Sequence, residues 1–404
     1  MQAKDWSVTD GYVSAEEAAA LLGVTIETIY VYVTRKKIRS IQMPNSHKRL
    51  YWRPDVERAR LRGGRHQSIS GDLQHESAIT LYTHTDLFFR GRGVRELTET
   101  ASFEDVAAHL WEVEQQDAFT ATPPLALSSL PIFDTVFAAE TQTSKAMALF
   151  PVLERADASA YDLSRTGMAR TGGNILRWLC ALILNLPHPV AASIHEVFGK
   201  TLGLSDDLAD LVRRLLILSA DHGLTSPTFA VRAVASTGVT PWRSVLAGLV
   251  VSTGQHSRQD HFSGLGRIVS EIVLSAQPVG LVRERLRGGQ ALPGFQPADA
   301  THADARVAIL SARLQATMAS DRDFEKIHAA AQAVGELSGM HPTFGYYSTF
   351  AWRKIGLKAD AMPFLLGRSA GWIAHAIEQY QAGERERAEL AYRGPLPGAD
   401  IADE

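Results

Sequence analysis

One cysteine stands in 404 residues. Cys180 has no partner within the chain, so a disulfide-stapled scaffold is excluded and a reducing cytoplasm is the expected setting. Its apolar neighbours make it a small core residue. Long hydrophobic runs are also missing. Residues 175–186 are apolar, but Arg177 interrupts them and the run is too short to span a bilayer. The first residues are polar and mixed in charge, unlike a signal peptide. No repeat of fixed period occurs, which excludes solenoids and propellers. Strand-like alternation is absent from the main body of the chain. Charge of one sign is scarce overall, with a formal net charge of −3.

That balance hides an asymmetry. Residues 35–65 hold eleven Lys and Arg against Asp55 and Glu57, a local +9, so the remainder sums to −12. A small basic piece joined to an acidic body suggests a polyanion partner for the basic piece. With 45% hydrophobic and 21% charged residues, the chain is ordinary for a soluble globular protein. It is long enough for a large core and more than one domain.

After a polar lead, Ser14 stands three residues before Glu17, a capping-box pattern that opens a helix through Leu22, with Gly23 to end it. Thr25 is placed to cap a second helix over 26–34. Two short helices around a glycine form a helix-turn-helix pattern. Two β-prone runs follow, at 38–40 and 49–52, on either side of a polar turn at 43–47. They read as a wing hairpin. Tyr12, Glu16, Glu17, Ala18, Leu21, Leu22, Gly23, Val24, Thr28, Tyr30, Ile38, Arg49, Tyr51, Asp55 and Arg58 resemble the winged-helix module of the MerR and excisionase families. The resemblance implies double-stranded DNA as partner. Thr28, Tyr32 and Arg35 would face the major groove, and Lys36, Lys37, Lys48 and Arg49 would hold phosphates. The module is placed at 1–62, and the polar, Gly-containing stretch 63–75 reads as a linker.

From residue 76 the pattern is helical. Segments near 103–115, 123–150, 172–186, 191–203, 206–220, 227–237, 241–251, 263–276, 304–318, 322–337, 348–356 and 368–382 carry apolar periodicity. The run 216–237, LILSADHGLTSPTFAVRAVAST, passes through a polar break at Asp221-His222-Gly223 between two helical stretches. Read alone, His222 is a buried, satisfied histidine of a helix hairpin. Three further stretches stand out: Leu292-Pro293-Gly294-Phe295, Pro342 to Ser348, and Gly367-Arg368-Ser369-Ala370-Gly371-Trp372-Ile373-Ala374-His375.

Together these stretches strongly resemble the citrate synthase family, whose members condense an acyl-CoA with a 2-oxo acid. The resemblance implies a mainly α fold: an all-α two-domain body with a large domain over 76–215 and 357–404 and a small domain over about 216–356. His222, Arg306, Arg368 and Arg387 fall on carboxylate-binding positions, Arg387 on one that reaches the partner subunit. Leu292, Pro293, Gly294 and Phe295 fall on an acyl-CoA-binding segment. The three catalytic positions, His, His and Asp in the family, hold Ser257, Pro297 and Gly345. None of these is an acid or base for such chemistry. His256 and His302 are the candidate substitutes. No metal and no resident cofactor is implied; a CoA thioester, oxaloacetate or citrate is the expected ligand. The resulting expectation is a DNA-binding regulator on a catalytically degenerate dimer. The alternatives are a citrate or 2-methylcitrate synthase and a non-catalytic subunit. The dimer is with itself or with a synthase paralogue.

Overall fold

The computed structural model describes residues 12–29, 38–42, 48–53, 55–56, 76–83, 86–124, 135–254, 263–297, 304–357 and 362–383. The chain divides into two units, one led by Met1–His75 and one running from Glu76 to Arg387.

In the first unit, β1 is Tyr12–Val13, α1 is Ala15–Leu22, β2 is Ser40–Gln42 and β3 is Arg49–Trp52. The helix starts where the capping box puts it. Ser14 Oγ accepts from Glu17 N at 3.2 Å, and the Glu17 carboxylate accepts from Ser14 N at 2.9 Å. Gly23, at φ +65°, closes the helix in the left-handed region. The hairpin forms with Ile41 opposite Leu50. Tyr12 and Val13, read as the lead into a helix, form instead a third strand on the other edge of β3. Two residues are too few to show alternation, and their placement comes from the partner strand. Val13, Ala18, Ile29, Ile38, Tyr51 and Val56 make the small core. Arg39 forks onto Asp55 through Nε and a terminal nitrogen, at 2.9 and 3.1 Å. One charge of the basic stretch is thereby neutralised inside the unit. Of the second helix, residues 26–29 are helical. Residues 30–37 and 43–47, with Tyr32, Arg35, Lys36 and Lys37, lie outside the described residues.

The body opens with a three-stranded antiparallel sheet of β4 (Thr80–Tyr82), β5 (Leu87–Phe89) and β6 (Arg92–Gly93). Helices follow: α2 (Val94–Thr100), α3 (Phe103–Trp111), α4 (Gln115–Ala118), α5 (Gln142–Ala156), α6 (Arg165–Ile183), α7 (Ile194–Leu202), α8 (Asp206–Ser219), α9 (Ser226–Ala235), α10 (Pro241–Ser252), α11 (Ser263–Leu274) and α12 (Pro278–Arg287). A two-stranded pairing of β7 (Phe295–Pro297) with β8 (Met340–Pro342) encloses α13 (Ala305–Met318) and α14 (Arg322–Ser338) in sequence. Last come α15 (Phe344–Lys354) and α16 (Met362–Ala382). Ser102, Thr141, Ser164, Ser205, Asp304 and Asp321 each cap a helix by accepting from a first-turn N–H.

The body is mainly helical, but not wholly so as expected. The β4–β6 sheet departs from the all-α expectation. β7 and β8 are three residues each and carry Pro297 and Pro342, so no period could announce them; they exist through their pairing. Helix α12 was also missed. Val282 is its one fully buried residue, with Val279, Leu281 and Leu286 half-buried against the core.

Helix α16 packs against α3, α6, α8, α9 and α10. Two glycines one turn apart allow its approach to the end of α8. A Cβ on Gly367 would lie 2.7 Å from Ser219 Cβ, and one on Gly371 would lie 2.6 Å from Asp221 Oδ1 and closer still to Ala220 O. In the space they leave, Gly371 N donates to Ala220 O at 3.0 Å. Gly371→Ala should therefore destabilise the body by up to about 2 kcal/mol, because overpacking of up to ~3 kcal/mol outweighs the ~1 kcal/mol that alanine gains in a helix. Urea unfolding of the two proteins measures this.

Candidate carboxylate site

The site forms at the break between α8 and α9. Apolar burial carries α8 down to Ser219, which is fully buried, and Thr225 with Pro227 restarts the chain as α9. Between them Asp221 is completely buried. Its Oδ2 accepts from the Thr80 hydroxyl and, at 2.9 Å, from Gly223 N. Its Oδ1 faces His375 Nε2 at 3.4 Å and Arg368 at 3.9 Å. Burial alone would raise its pKa, but His375 and Arg368 outweigh that and hold the carboxyl well below its usual range.

His222, next in the chain, points its two nitrogens at different partners. Nε2 lies 3.2 Å from a terminal nitrogen of Arg306, and Nδ1 meets the Tyr82 hydroxyl. Burial, with Arg306 and Arg368 nearby, holds the ring neutral far below the ordinary imidazole range. Arg306 opens α13. It forks onto Asp304, Nε at 2.9 Å and a terminal nitrogen at 2.7 Å, and its guanidinium lies 4.7 Å from the centroid of Phe344.

Arg368 comes from α16, one residue beyond Gly367. It is 4% exposed, and its Nε and one terminal nitrogen have no hydrogen-bond partner among the described residues. Burial lowers its pKa to about 10, so it stays charged at neutral pH. Two turns on, His375 lies 3.4 Å from Arg232, which pairs with Glu378 at 2.6 Å; Glu378 also accepts from Ala78 N at 2.8 Å. The corner thus offers two buried guanidiniums, a neutral imidazole and a phenol, an arrangement suited to an anion bearing several oxygens.

A second group of residues surrounds the β7–β8 pairing. Gly294, at φ +89°, turns the chain, and its carbonyl accepts from Thr343 N at 2.8 Å. Phe295 packs against Tyr346 with ring centroids 4.7 Å apart. Leu292 is buried, and Pro297 is exposed opposite Met340. Gly345 is the second residue of α15, and Phe344 beside it is the ring over Arg306.

The family model described as citrate synthase, C-terminal domain, matches residues 70–389, most of the chain. The chain belongs to the citrate synthase family. A curated citrate synthase of Haloferax volcanii is 28% identical over 194 residues, 46% of this chain and 51% of that protein, so this match spans about half the relative's length. Citrate synthase 2 of Bacillus subtilis is 24% identical over 383 residues, 81% of this chain and 96% of that protein. The citrate synthase structure of Thermoplasma acidophilum superposes with a TM-score of 0.64 at 18% identity, over 81% of this chain and 95% of that one. At that identity the superposition speaks for the fold. No helix among the described residues is long and apolar enough to cross a membrane.

Of the carboxylate set expected for a citrate synthase, His222, Arg306 and Arg368 do converge. Arg387 lies outside the described residues, as do Ser257, His256 and His302. Sequence reading missed Thr80 and Tyr82, and it quoted His375 within the 367–375 stretch without giving it a role. His375 was within reach, since it lies seven residues after Arg368 and so on nearly the same face of one helix. Tyr82 gave no signal, because its partner is 140 residues away in the chain. In the first unit, Lys48 and Arg49 are exposed, while Thr28 is half-buried with its hydroxyl 3.1 Å from that of Thr25.

Proposed function

We propose that the body binds a 2-oxo dicarboxylate of the oxaloacetate class at the Asp221–His222–Arg306–Arg368 corner and does not condense it with an acyl-CoA at an enzymatic rate. One observation carries the binding: Arg368 is a buried cation with two nitrogens left without hydrogen bonds among the described residues. A charge in that state costs several kcal/mol, which an arriving carboxylate offsets. The Thermoplasma protein is named as a ternary complex with oxaloacetate and carboxymethyl coenzyme A, which supports the ligand class. The names of the relatives also favour condensation, so citrate or 2-methylcitrate synthesis is the competing reading, with the non-catalytic subunit behind it. Against condensation stands the chemistry at Ser257, Pro297 and Gly345, which supplies no base and, beyond the Ser257 hydroxyl, no side-chain donor. Calorimetric titration with oxaloacetate tests the binding. A Kd between ~1 μM and ~1 mM is expected, the ordinary range for such sites; no heat at millimolar oxaloacetate or citrate would remove the proposal.

A second reading concerns the first unit, which we read as a winged helix-turn-helix that binds double-stranded DNA and makes the protein a regulator. The antiparallel β2–β3 hairpin beside a capped helix, with Lys48 and Arg49 exposed, supports it. The body would serve as a two-fold dimer bringing two such units to one site. Each Lys or Arg on a phosphate adds roughly one unit to the slope of log affinity against log salt. Gel shifts of the full chain against a chain lacking residues 1–62 are the check, and equal affinity would end this reading.

A further inference from the structure

We infer that Tyr82 determines ligand specificity at the carboxylate corner: oriented by His222, its hydroxyl donates to an oxygen on the second carbon of the bound dicarboxylate. The inference rests on the dicarboxylate binding proposed above.

Strand β4 carries the argument first. Residues two apart on a strand share a face, so Thr80 and Tyr82 address the same neighbour. That neighbour is the α8–α9 break, and the two side chains meet its consecutive residues: the Thr80 hydroxyl bonds Asp221, and the Tyr82 hydroxyl bonds His222 Nδ1. The phenol ring stands edge-on to the imidazole, centroids 5.2 Å apart at 78°. A Cβ on Gly223 would lie 3.5 Å from the same ring, so His222 and the Gly223 backbone both flank it.

Donor and acceptor roles then follow in sequence. Arginine carries donors only, so Arg306, 3.2 Å from Nε2, requires Nε2 to accept. A neutral imidazole has one accepting and one donating nitrogen, and His222 is held neutral by burial and by the two arginines. Its proton is therefore on Nδ1 and is donated to the Tyr82 oxygen. The phenol keeps its own O–H, and burial pushes its ionisation upward, so it remains a donor at neutral pH.

This changes the part His222 plays. Both of its nitrogens are engaged, so it cannot donate to a ligand without releasing Tyr82. Donors available to a ligand include the two Arg368 nitrogens without hydrogen bonds among the described residues and the Tyr82 hydroxyl. Guanidinium suits a carboxylate, and a single neutral O–H suits a keto or hydroxyl oxygen. Dicarboxylates with an oxygen on C2 should gain from Tyr82, and succinate should not.

The test is Tyr82→Phe in the full chain, which removes the hydroxyl and keeps the ring. Calorimetry compares oxaloacetate, malate and succinate on both proteins. The expected result is a loss of about tenfold for oxaloacetate and malate, about 1.4 kcal/mol, with succinate changed less than about twofold. An equal loss for all three, or no loss, would overturn the assignment while leaving dicarboxylate binding intact. Failure of the wild type to bind any of the three would overturn the dicarboxylate reading itself, and the role of Tyr82 with it. A readout without ligand accompanies these titrations: ¹⁵N-histidine spectra, with His222→Gln to identify the resonance. They should show Nδ1 protonated and Nε2 bare, and the opposite tautomer would overturn the orientation of Tyr82.

Discussion

The 404-residue chain given oxaloacetate with acetyl-CoA or propionyl-CoA is expected to release CoA more slowly than ~10⁻² s⁻¹. An ordinary enzyme turns over near ~10 s⁻¹, and a positioned acid or base contributes ~10²–10⁴-fold. Losses of groups that act together do not multiply, so one factor of ~10³ is the modest demand made here. Proline at 297 has neither an N–H nor a side-chain donor, and it sits exposed at the end of β7. Glycine at 345 has no side chain, and the space beside it is already in use: a Cβ there would lie 3.0 Å from Leu265 Cδ1. Gly345→Asp alone should therefore not restore condensation, because Leu265 must first give way. A thiol-capture assay reads the rate. Turnover at ~1 s⁻¹ or above would place the chain among working synthases and assign the missing chemistry to groups such as His256 or His302.

The second large effect is expected of Arg368→Met. Affinity for oxaloacetate should fall by ~100-fold or more, in the range found when one partner of a buried charged pair is truncated. Stability should fall as well, by up to ~3 kcal/mol, because the variant removes the 3.9 Å attraction to Asp221 and leaves that buried carboxylate with one cation fewer. Asp221 retains Thr80, Gly223 N and His375. Calorimetry and thermal melting on one preparation separate the two effects. A loss of less than tenfold in affinity would mean that the anion is held elsewhere.

The helical order of the body was legible because its apolar stripes recur over ten or more residues. The same is true of α1, whose start was spelled out by Ser14 and Glu17. The pieces that were not legible share one property: they owe their form to distant partners. β1 depends on β3, and β7 depends on β8. Starts of helices were also misjudged. Helix α16 begins at Met362, not at 368, which puts Gly367 and Gly371 inside a helix rather than at its edge. Glycines inside a helix read as a weakness until the backbone packed against them is known. In the site, residues within one contiguous run, such as Asp221 with His222, could be found from the chain alone. Their approach by Thr80 and Tyr82 could not, since nothing local to β4 distinguishes an ordinary short strand from one that completes a pocket.

Ala78 N bonds Glu378, and two and four residues later Thr80 and Tyr82 reach Asp221 and His222. The body begins at Glu76, so a pull along the chain from the residues before it would be borne by this corner first. Antiparallel pairs loaded from one end peel one bond at a time, and β4 has only three residues to lose. A modest force would thus detach the phenol and the threonine hydroxyl before it reached the large helices, making the Asp221–His222 corner the mechanical fuse of the body.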